Sequence, residues 1–273
     1  MASTVGSRIP TGGVVVEREA GALGALVTGV DLGTPVDDAT FGLVHDAFLE
    51  NLVICISGQA HITPEDQLAF AARWGEISVH PYVPSIEGYP GMMRIYDPNP
   101  VTTTWHADTT HIATPPALTL LLARVIPPYG GDTMFANQYD AYAGLSDGLR
   151  ATLDGLRAVH RGTELAAEAG IDASAVTSSH PVVRTHPETG RRALFVNGNY
   201  TKHLDGWTEA ESAPLLEYLY AEASRPEYTW RHRWQAGDMI IWDNRCTQHC
   251  VIGDTRGQER VLHRVTIAGD TPV

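Results

Sequence analysis

The side chains best suited to chemistry begin with His106 and Asp108, which are separated by one residue. On a strand, or at its immediate end, side chains two positions apart point to the same side of the chain. A neutral imidazole and a carboxylate would then converge on one point, as ligands do around a divalent metal ion. By itself this pair is a weak signal, because a His-x-Asp sequence also occurs in surface turns.

A second histidine, His249, follows a β-rich segment that ends near residue 242. Together with His106 and Asp108 it would complete a set of two histidines and one carboxylate. Such a set occupies one face of an octahedron and leaves three positions for a bidentate co-substrate and O2, which is the arrangement of non-haem Fe(II) oxygenases. Taken alone, His249 is more often a structural histidine.

Two arginines, Arg260 and Arg264, lie in the last strand-like segment, residues 260–267. On a strand they share one face with Leu262, whereas His263 points the other way. A guanidinium group binds a carboxylate through two parallel hydrogen bonds and keeps its charge. Two inward arginines each require an anion, so they predict anion binding; the alternative is a pair of exposed strand charges.

With these residues in place, the sequence resembles the taurine dioxygenase (TauD/TfdA-like) family of Fe(II)- and 2-oxoglutarate-dependent dioxygenases. The resemblance covers residues 24–272 and rests on several motifs in the family's order. These motifs are Trp105-His106-Ala107-Asp108-Thr109, Thr114-Pro115-Pro116, Gly130-Gly131-Asp132-Thr133, Trp242-Asp243-Asn244-Arg245-Cys246-Thr247-Gln248-His249 and His263-Arg264-Val265-Thr266.

The resemblance implies a role for each matching residue. His106, Asp108 and His249 bind Fe(II), and Arg260 and Thr133 bind the distal carboxylate of 2-oxoglutarate. It also implies O2 as the second co-substrate, a hydroxylated product, and succinate and CO2 as co-products. The presence of Asp108 favours a hydroxylase, because the halogenases of the family lack this carboxylate.

The substrate side is implied in the same way. Arg264 matches the position that holds the sulfonate in taurine dioxygenases, His80 matches their substrate-side histidine, and Tyr200 matches an aromatic residue near the substrate. The positions where the chain departs from taurine dioxygenases are Val83, Thr102 and His111. These departures argue against taurine and leave a sulfonate, an alkyl sulfate, an aryloxyalkanoate or a biosynthetic carboxylate. His111 either adds a polar group over the site or faces away from it.

The element pattern predicts a mostly β fold with flanking helices (α+β) around a double-stranded β-helix, or jelly-roll, core. Helices are expected at residues 37–50 and 208–224, with a further helix start at Thr63-Pro64. The candidate strands are residues 52–56, 118–125, 157–161, 181–185, 193–197, 228–234, 239–242 and 261–267. We predict one domain over residues 1–273, in which residues 1–12 are the candidate disordered segment.

The bulk properties restrict the partners. The formal net charge of −13 disfavours nucleic acid, whose phosphates require clustered lysine and arginine. The longest apolar run, residues 117–128, is interrupted by Arg124 and is shorter than the ~20 residues of a spanning helix. Three cysteines without scaffold-like spacing fit a reducing compartment, and we interpret the protein as cytoplasmic. The resemblance implies a homodimer or homotetramer with a small anionic substrate.

Three interpretations other than a dioxygenase remain compatible with the sequence. Cys246, His249 and Cys250 form a weak candidate for a zinc site, because no second ligand cluster has suitable spacing. A sensor would bind 2-oxoglutarate and metal without turnover. A metal-dependent hydrolase on a similar barrel would work without O2 and would not need Arg260.

Overall fold

The computed structural model describes residues 13–80, 83–100, 102–163, 170, 172 and 176–273. The candidate disordered segment, residues 1–12, lies outside the described residues. In chain order the strands are β1 (Val15–Arg18), β2 (Ala25–Thr28), β3 (Val53–Ile56), β4 (Ile77–Ser78), β5 (Met92–Tyr96), β6 (Leu118–Val125), β7 (Thr133–Asn137), β8 (Arg157–Arg161), β9 (Thr177–Pro181), β10 (Val183–Thr185), β11 (Arg192–Leu194), β12 (Thr201–Leu204), β13 (Thr229–His232), β14 (Met239–Asp243), β15 (Thr247–Val251) and β16 (Val261–Ile267).

The helices of the described residues are α1 (Asp38–Asn51), α2 (Pro64–Ala71), α3 (Gln138–Ala143), α4 (Asp147–Leu153) and α5 (Glu209–Ala223). Their N-termini follow the capping rules. Asp37 caps α1 by accepting from the N–H of Thr40, and Thr63 forms a reciprocal capping box with Asp66 at α2. No helix of the described residues is long and apolar enough to span a membrane.

A major sheet with strand order β1-β2-β3-β14-β6-β16-β4 forms one wall of the molecule, and β5 also pairs with β16. All its pairings are antiparallel except β2 with β3. A minor sheet has the order β13-β7-β15. The two smaller sheets are β12-β8-β9 and β10-β11.

Side chains along the strands of the major sheet point alternately to its two faces, and each face has its own hydrophobic core. On β6, Leu118, Leu120 and Leu122 point outward and pack with residues of α1 and α2, such as Phe48 and Phe70. The alternating residues of β6 point between the two sheets. There Leu121 and Ala123, with Trp242 of β14, meet Phe135 and Trp230 of the minor sheet. This inner core closes the jelly roll, which confirms the predicted fold class.

Several predicted elements coincide with the observed ones. The bounds of β6, β8 and β16 are those predicted, and α1 and α5 differ by one residue at each end. The predicted strand at 181–185 is divided between β9 and β10, and the one at 228–234 shortens to β13. His106 forms an isolated bridge rather than part of a strand. Seven observed strands were not predicted from the sequence, namely β1, β2, β4, β5, β7, β12 and β15.

Candidate metal centre and co-substrate pocket

The two histidines of the metal motif are joined through their backbones. The N–H of His106 donates to the carbonyl of His249 (3.0 Å), and the N–H of His249 donates back to His106 (2.8 Å). Their ring centroids are 4.2 Å apart. The side chains of His106, Asp108 and His249 are buried, and their candidate ligand atoms all lie within 4.8 Å of one another. The structure therefore brings together the three residues predicted to bind metal.

The two oxygens of Asp108 have different surroundings. Oδ1 lies 3.6 Å from Nε2 of His249, on the side of the histidines. Oδ2 accepts hydrogen bonds from the hydroxyl of Thr119 (2.7 Å) and from Nη2 of Arg264 (2.8 Å). With Oδ2 engaged by two donors, Oδ1 is the oxygen that remains for a metal ion.

The electrostatics keep these side chains in the protonation states that a metal requires. Burial would raise the pKa of Asp108, but Arg264 and the two histidines outweigh it and hold that pKa well below its usual range. Burial and the neighbouring His106 lower the pKa of His249 to about 3. Burial also lowers the pKa of His106. The group is therefore one carboxylate with two neutral imidazoles, as metal ligation needs.

Residues around the ligands fix their orientation. Nδ1–H of His106 donates to the carbonyl of Thr104 (2.8 Å), which leaves Nε2 facing the ion position. Oδ1 of Asn244 accepts from the N–H of Asp108 (3.2 Å) and from Nε1–H of Trp242 (2.9 Å). Nδ2 of Asn244 donates to the hydroxyl of Thr119 (3.0 Å).

The supporting roles of Thr119 and Asn244 were not predicted. The signal for Thr119 was that it is the single polar residue among the inward-facing positions of β6, which also include Leu121 and Ala123. Asn244 stood within a quoted motif, but nothing in the sequence assigned it a partner.

Arg260 directly precedes β16 and is buried. Its Nε and Nη2 have no hydrogen-bond partner among the residues that the structure describes. Burial lowers the pKa of this guanidinium, although Asp97 and Asp132 oppose the shift. A buried cation without hydrogen-bond partners is costly. An anion that reaches it would therefore be bound strongly, as the distal carboxylate of 2-oxoglutarate is expected to be.

A glycine, a threonine and a tryptophan surround Arg260. A Cβ added to Gly131 would lie 3.0 Å from Cδ and 3.1 Å from Nε of Arg260, so only glycine fits there without displacing this side chain. Thr133, at the start of β7, is buried and its hydroxyl accepts from Nε1–H of Trp234 (3.0 Å). The hydroxyl proton of Thr133 remains available to an acceptor. The indole of Trp234 also lies 5.9 Å from the Arg260 guanidinium.

Two residues predicted to bind substrate, Arg264 and His80, lie close to the candidate metal ligands. Besides its bond to Asp108, Arg264 has a buried Nε that meets no partner in the described part of the chain. Nδ1 of His80 accepts from the N–H of Val83 (3.0 Å). Burial and the charge of Arg264 lower the pKa of His80, and Asp108 opposes this shift.

His111 is buried against the ring of Tyr200, with centroids 5.0 Å apart, and Tyr200 lies 6.3 Å from His106. The Nδ1 of His111 has no partner among the described residues, and burial with the nearby His80 lowers the pKa of His111 to about 4. Gly162 also packs closely against this ring: a Cβ added there would lie 3.0 Å from its Cγ and Cδ2. His111 is therefore a neutral group that contacts both Gly162 and Tyr200, near the candidate metal ligands.

Two predicted substrate residues are exposed. Val83 has 38% of its surface exposed and touches the site through the N–H that it donates to His80. Thr102 is also exposed, and its carbonyl accepts from the N–H of Val251 (3.1 Å). Within the described residues, no hydrogen bond or ion pair joins Thr102 to the metal ligands. Their substrate roles stay predictions.

Two further buried clusters combine possible metal ligands, but internal bonds explain them. Asp243 accepts from His186 (2.9 Å) and from two guanidinium nitrogens of Arg245 (2.8 and 2.7 Å), whose positive charge opposes a cation. Asp238 accepts from His232 (3.0 Å) and from the N–H of Gln235 (2.8 Å) in the turn before β14. Across the ranges that the structure describes, no candidate metal cluster combines Cys246, His249 and Cys250.

The residues present fit Fe(II) and 2-oxoglutarate. Two neutral imidazoles and one carboxylate oxygen converge in a buried position, which is the donor set of non-haem iron oxygenases. The unpartnered nitrogens of Arg260, beside the glycine turn at Gly131, fit the far carboxylate of an oxo-acid.

Comparison with known proteins finds relatives of one family. The family model "Taurine catabolism dioxygenase TauD, TfdA family" matches residues 16–266. An alkylsulfatase from Acinetobacter baylyi is 34% identical, over 96% of this chain and 87% of its own. An alpha-ketoglutarate-dependent sulfate ester dioxygenase from Pseudomonas putida is 36% identical, over 94% of this chain and 90% of its own. The crystal structure of a taurine dioxygenase from Burkholderia xenovorans has a TM-score of 0.86 at 38% identity, covering 96% of this chain and 91% of that chain.

These matches extend over nearly the whole chain and confirm the family predicted from the motifs. They also confirm the prediction of a dioxygenase, as opposed to a sensor or a hydrolase. The chain belongs to the taurine catabolism dioxygenase TauD, TfdA family and is a dioxygenase that uses Fe(II), 2-oxoglutarate and O2 to hydroxylate a small anionic organic substrate.

Proposed function

We propose that His106, Asp108 and His249 hold Fe(II) and that Arg260 and Thr133 hold the distal carboxylate of 2-oxoglutarate. The mutual proximity of the three candidate ligand atoms, within 4.8 Å, supports the metal assignment. The two buried guanidinium nitrogens of Arg260 without partners support the co-substrate assignment. The free hydroxyl proton of Thr133 supplies a second, neutral donor.

We infer that the prime substrate is an alkyl sulfate ester whose sulfate group binds Arg264 and His80. The observation that carries this proposal is the 2.8 Å ion pair of Arg264 with Asp108, because it puts a cation beside the metal ligands. A substrate anion bound to this cation keeps its nearest carbon atoms close to the site of oxidation. The activities named for two relatives, alkylsulfatase and sulfate ester dioxygenase, favour a sulfate ester over a sulfonate.

The reaction would cleave the ester by oxidising the carbon that bears the ester oxygen. When bound, Fe(II), 2-oxoglutarate and O2 supply the oxidising power: one oxygen atom enters the C–H bond, the other enters succinate, and CO2 is released. The hydroxylated carbon then loses its hydroxyl proton and expels sulfate, which leaves an aldehyde. Arg264 stabilises the negative charge that moves onto the departing sulfate. The rings of His111 and Tyr200 form a wall that excludes water from the reacting carbon.

We further propose one domain over residues 1–273, a homodimer or homotetramer, and a cytoplasmic location. The major sheet supports one domain, because it includes strands from both ends of the chain, β1 and β16. The buried, free thiols of Cys55, Cys246 and Cys250 support a reducing compartment. Light scattering on the purified protein tests the oligomeric state, and cell fractionation tests the location.

Anaerobic titration of the Fe(II)-loaded protein with 2-oxoglutarate tests the site. We expect a weak visible charge-transfer band, which shifts on addition of hexyl sulfate and shifts less with hexanesulfonate. Admission of O2 should then give hexanal and sulfate in equal amounts. Asp108→Ala is the control and should give no band, because it holds no iron.

Different negative results would contradict the co-substrate site and the sulfate ester substrate separately. No band with iron demonstrably bound would contradict the co-substrate site. A band without response to hexyl sulfate, and without hexanal after O2 is admitted, would contradict the sulfate ester. If only hexanesulfonate shifts the band, the substrate would be a sulfonate instead of a sulfate ester.

A further inference from the structure

Arg264 is bound to the metal site itself as well as facing the substrate side. Its Nη2 donates to Oδ2 of Asp108 at 2.8 Å, while its buried Nε has no partner. About one fifth of the Arg264 side chain is exposed (22%), against 4% for Asp108. The guanidinium of Arg264 therefore binds the carboxylate through Nη2, while its Nε donates to no acceptor within the described residues.

The bond to Arg264 must reduce the negative charge that Asp108 offers to a cation. The carboxylate already accepts from Thr119 through the same oxygen (2.7 Å), so Oδ2 carries two donors, of which only Arg264 is charged. A positive charge this close also repels a divalent ion in a buried site, where screening by water is weak. Both effects oppose metal binding at Oδ1.

An anion on the free edge of Arg264 would cancel much of this effect. The guanidinium would share its charge between the anion and Asp108, and the carboxylate would recover donor strength toward the metal. His80 would assist, because its ring is near enough to Arg264 for that charge to lower the pKa of His80. The anion and the metal ion are then coupled through one side chain, although they occupy separate positions.

We propose that Arg264 holds the metal affinity of the site low through Asp108, and that an anionic substrate which binds Arg264 raises it. The second half of this inference rests on the proposed function, in which the substrate's sulfate binds Arg264. Thermodynamic linkage requires the reverse effect of equal size: the bound metal ion must tighten the binding of the anion.

Mn(II) affinity measured by the EPR signal of the free ion provides the test, because it needs no turnover. In the wild-type protein we expect saturating hexyl sulfate to tighten Mn(II) binding by about tenfold, a usual size for coupling between two sites. Arg264→Met should bind Mn(II) more tightly than the wild type without any anion. It should also show no response to hexyl sulfate.

Two variants separate the charge of Arg264 from its role as a donor. Arg264→Gln keeps a neutral donor and should resemble Arg264→Met in its Mn(II) affinity. Thr119→Val removes the other bond to Oδ2 without changing the charge, and it should keep the wild-type response to hexyl sulfate. Weaker Mn(II) binding by Arg264→Met would overturn the proposal, because Arg264 would then be needed to orient Asp108.

The outcomes also distinguish this inference from the proposed function. If hexyl sulfate is converted to hexanal but leaves the Mn(II) affinity of the wild type unchanged, the sulfate ester stands and the coupling is refuted. If Arg264→Met tightens Mn(II) binding while hexyl sulfate neither binds nor reacts, the effect of Arg264 on Asp108 stands and the sulfate ester assignment fails.

Discussion

Asp97 and Arg260 lie opposite each other where β5 ends and β16 begins: the N–H of Asp97 donates to the carbonyl of Arg260 at 3.0 Å. Within the described part of the chain, no ion pair joins their side chains. Burial raises the pKa of Asp97, although Arg260 opposes the shift, and Asp97 is the largest influence opposing the lowered pKa of Arg260. The two charges therefore interact across a gap, at the end of the pocket proposed for 2-oxoglutarate.

Asp97→Asn should tighten the binding of 2-oxoglutarate. The substitution removes a negative charge that repels the distal carboxylate of the ligand. For charges several ångströms apart in a partly buried site, we expect the affinity for 2-oxoglutarate to rise roughly three- to tenfold. Anaerobic titration of the charge-transfer band measures the dissociation constant, and kcat at saturating 2-oxoglutarate should not change. Glu259→Gln, an exposed acid next to Arg260, is the matched control and should have little effect. Weaker binding by Asp97→Asn would show that Asp97 instead orients the arginine.

Arg260→Met should have opposite effects on stability and on co-substrate binding. Without the ligand, Arg260 is a buried charge with two unpartnered nitrogens, so its removal should raise the free energy of unfolding by about 1–3 kcal/mol. The affinity for 2-oxoglutarate should fall by about 2–4 kcal/mol, because a charge-assisted contact is lost. Thermal melts with and without N-oxalylglycine measure both effects. A destabilised apo protein would contradict the first expectation.

Asn244→Ala should weaken metal binding and stability together. Asn244 accepts from the N–H of Asp108 and from Trp242, so the alanine leaves two buried donors without an acceptor, at about 1–3 kcal/mol each. Loss of partners around a ligand usually costs about 10–100-fold in metal affinity. Mn(II) titration and urea denaturation provide the measurements, and Arg260→Met, distant from these contacts, should keep its Mn(II) affinity. An unchanged Mn(II) affinity in Asn244→Ala would rule out this supporting role.

Gly162→Ala should change substrate binding without changing co-substrate binding. The new methyl group would lie 3.0 Å from Cγ and Cδ2 and 3.2 Å from Nδ1 of His111, so the ring, which also packs on Tyr200, must shift. We expect the KM for the prime substrate to rise about tenfold or more, because a displacement of this kind disturbs the orientation of the substrate. Gly148→Ala, which meets no atom within 4 Å, is the control. A proportional change in the dissociation constant of 2-oxoglutarate would point to general misfolding.

Stability should fall as the pH drops below about 6.5, because buried histidines resist protonation. Burial lowers the pKa of His160 well below its usual value, and it also lowers the pKa values of His111 and His180. The unfolded chain then binds more protons than the folded one, so the stabilisation is complete above the unfolded pKa of about 6.5 and is lost toward lower pH. Each histidine contributes at most about 1.4 kcal/mol per pH unit.

His160→Asn tests this dependence. Asparagine can keep a hydrogen bond to Thr110, which His160 contacts through Nδ1 at 2.9 Å, but it cannot titrate. Urea denaturation of the metal-free protein between pH 7.5 and 5 should give a shallower fall for the variant than for the wild type. Parallel curves would refute the role of His160.

The strands whose bounds were predicted best have sequences that favour a strand locally. Strand β6 is a nearly continuous apolar run between two pairs of prolines, and β16 is rich in β-branched residues. By contrast, β7 and β15 carry Thr133 and His249 but were not predicted, because their short, mixed sequences acquire strand structure only by pairing with each other.

Contacts between distant segments of the chain could not be predicted at the site either. The three candidate metal ligands were predicted from their types and order, and the structure brings them together. The backbone bridge between His106 and His249, however, depends on tertiary pairing. The bond between Arg264 and Asp108 was not predicted, because a residue pattern shows that an arginine points inward and not which anion it meets. The hydrogen bond from Trp234 to Thr133 was not predicted, because the pattern of residues does not show which distant side chains meet.

The interior position of β16 has a consequence for synthesis of the protein. This last strand of the described chain pairs with β6 on one edge and with β4 and β5 on the other. Strand β6 therefore cannot pair with β16 until residues 261–267 have been synthesised, and contacts between such distant segments form slowly. Arg264 lies within β16 and Arg260 immediately before it, so this pairing also adds both arginines that we propose to bind anions. A nascent chain that stops before residue 260 has neither.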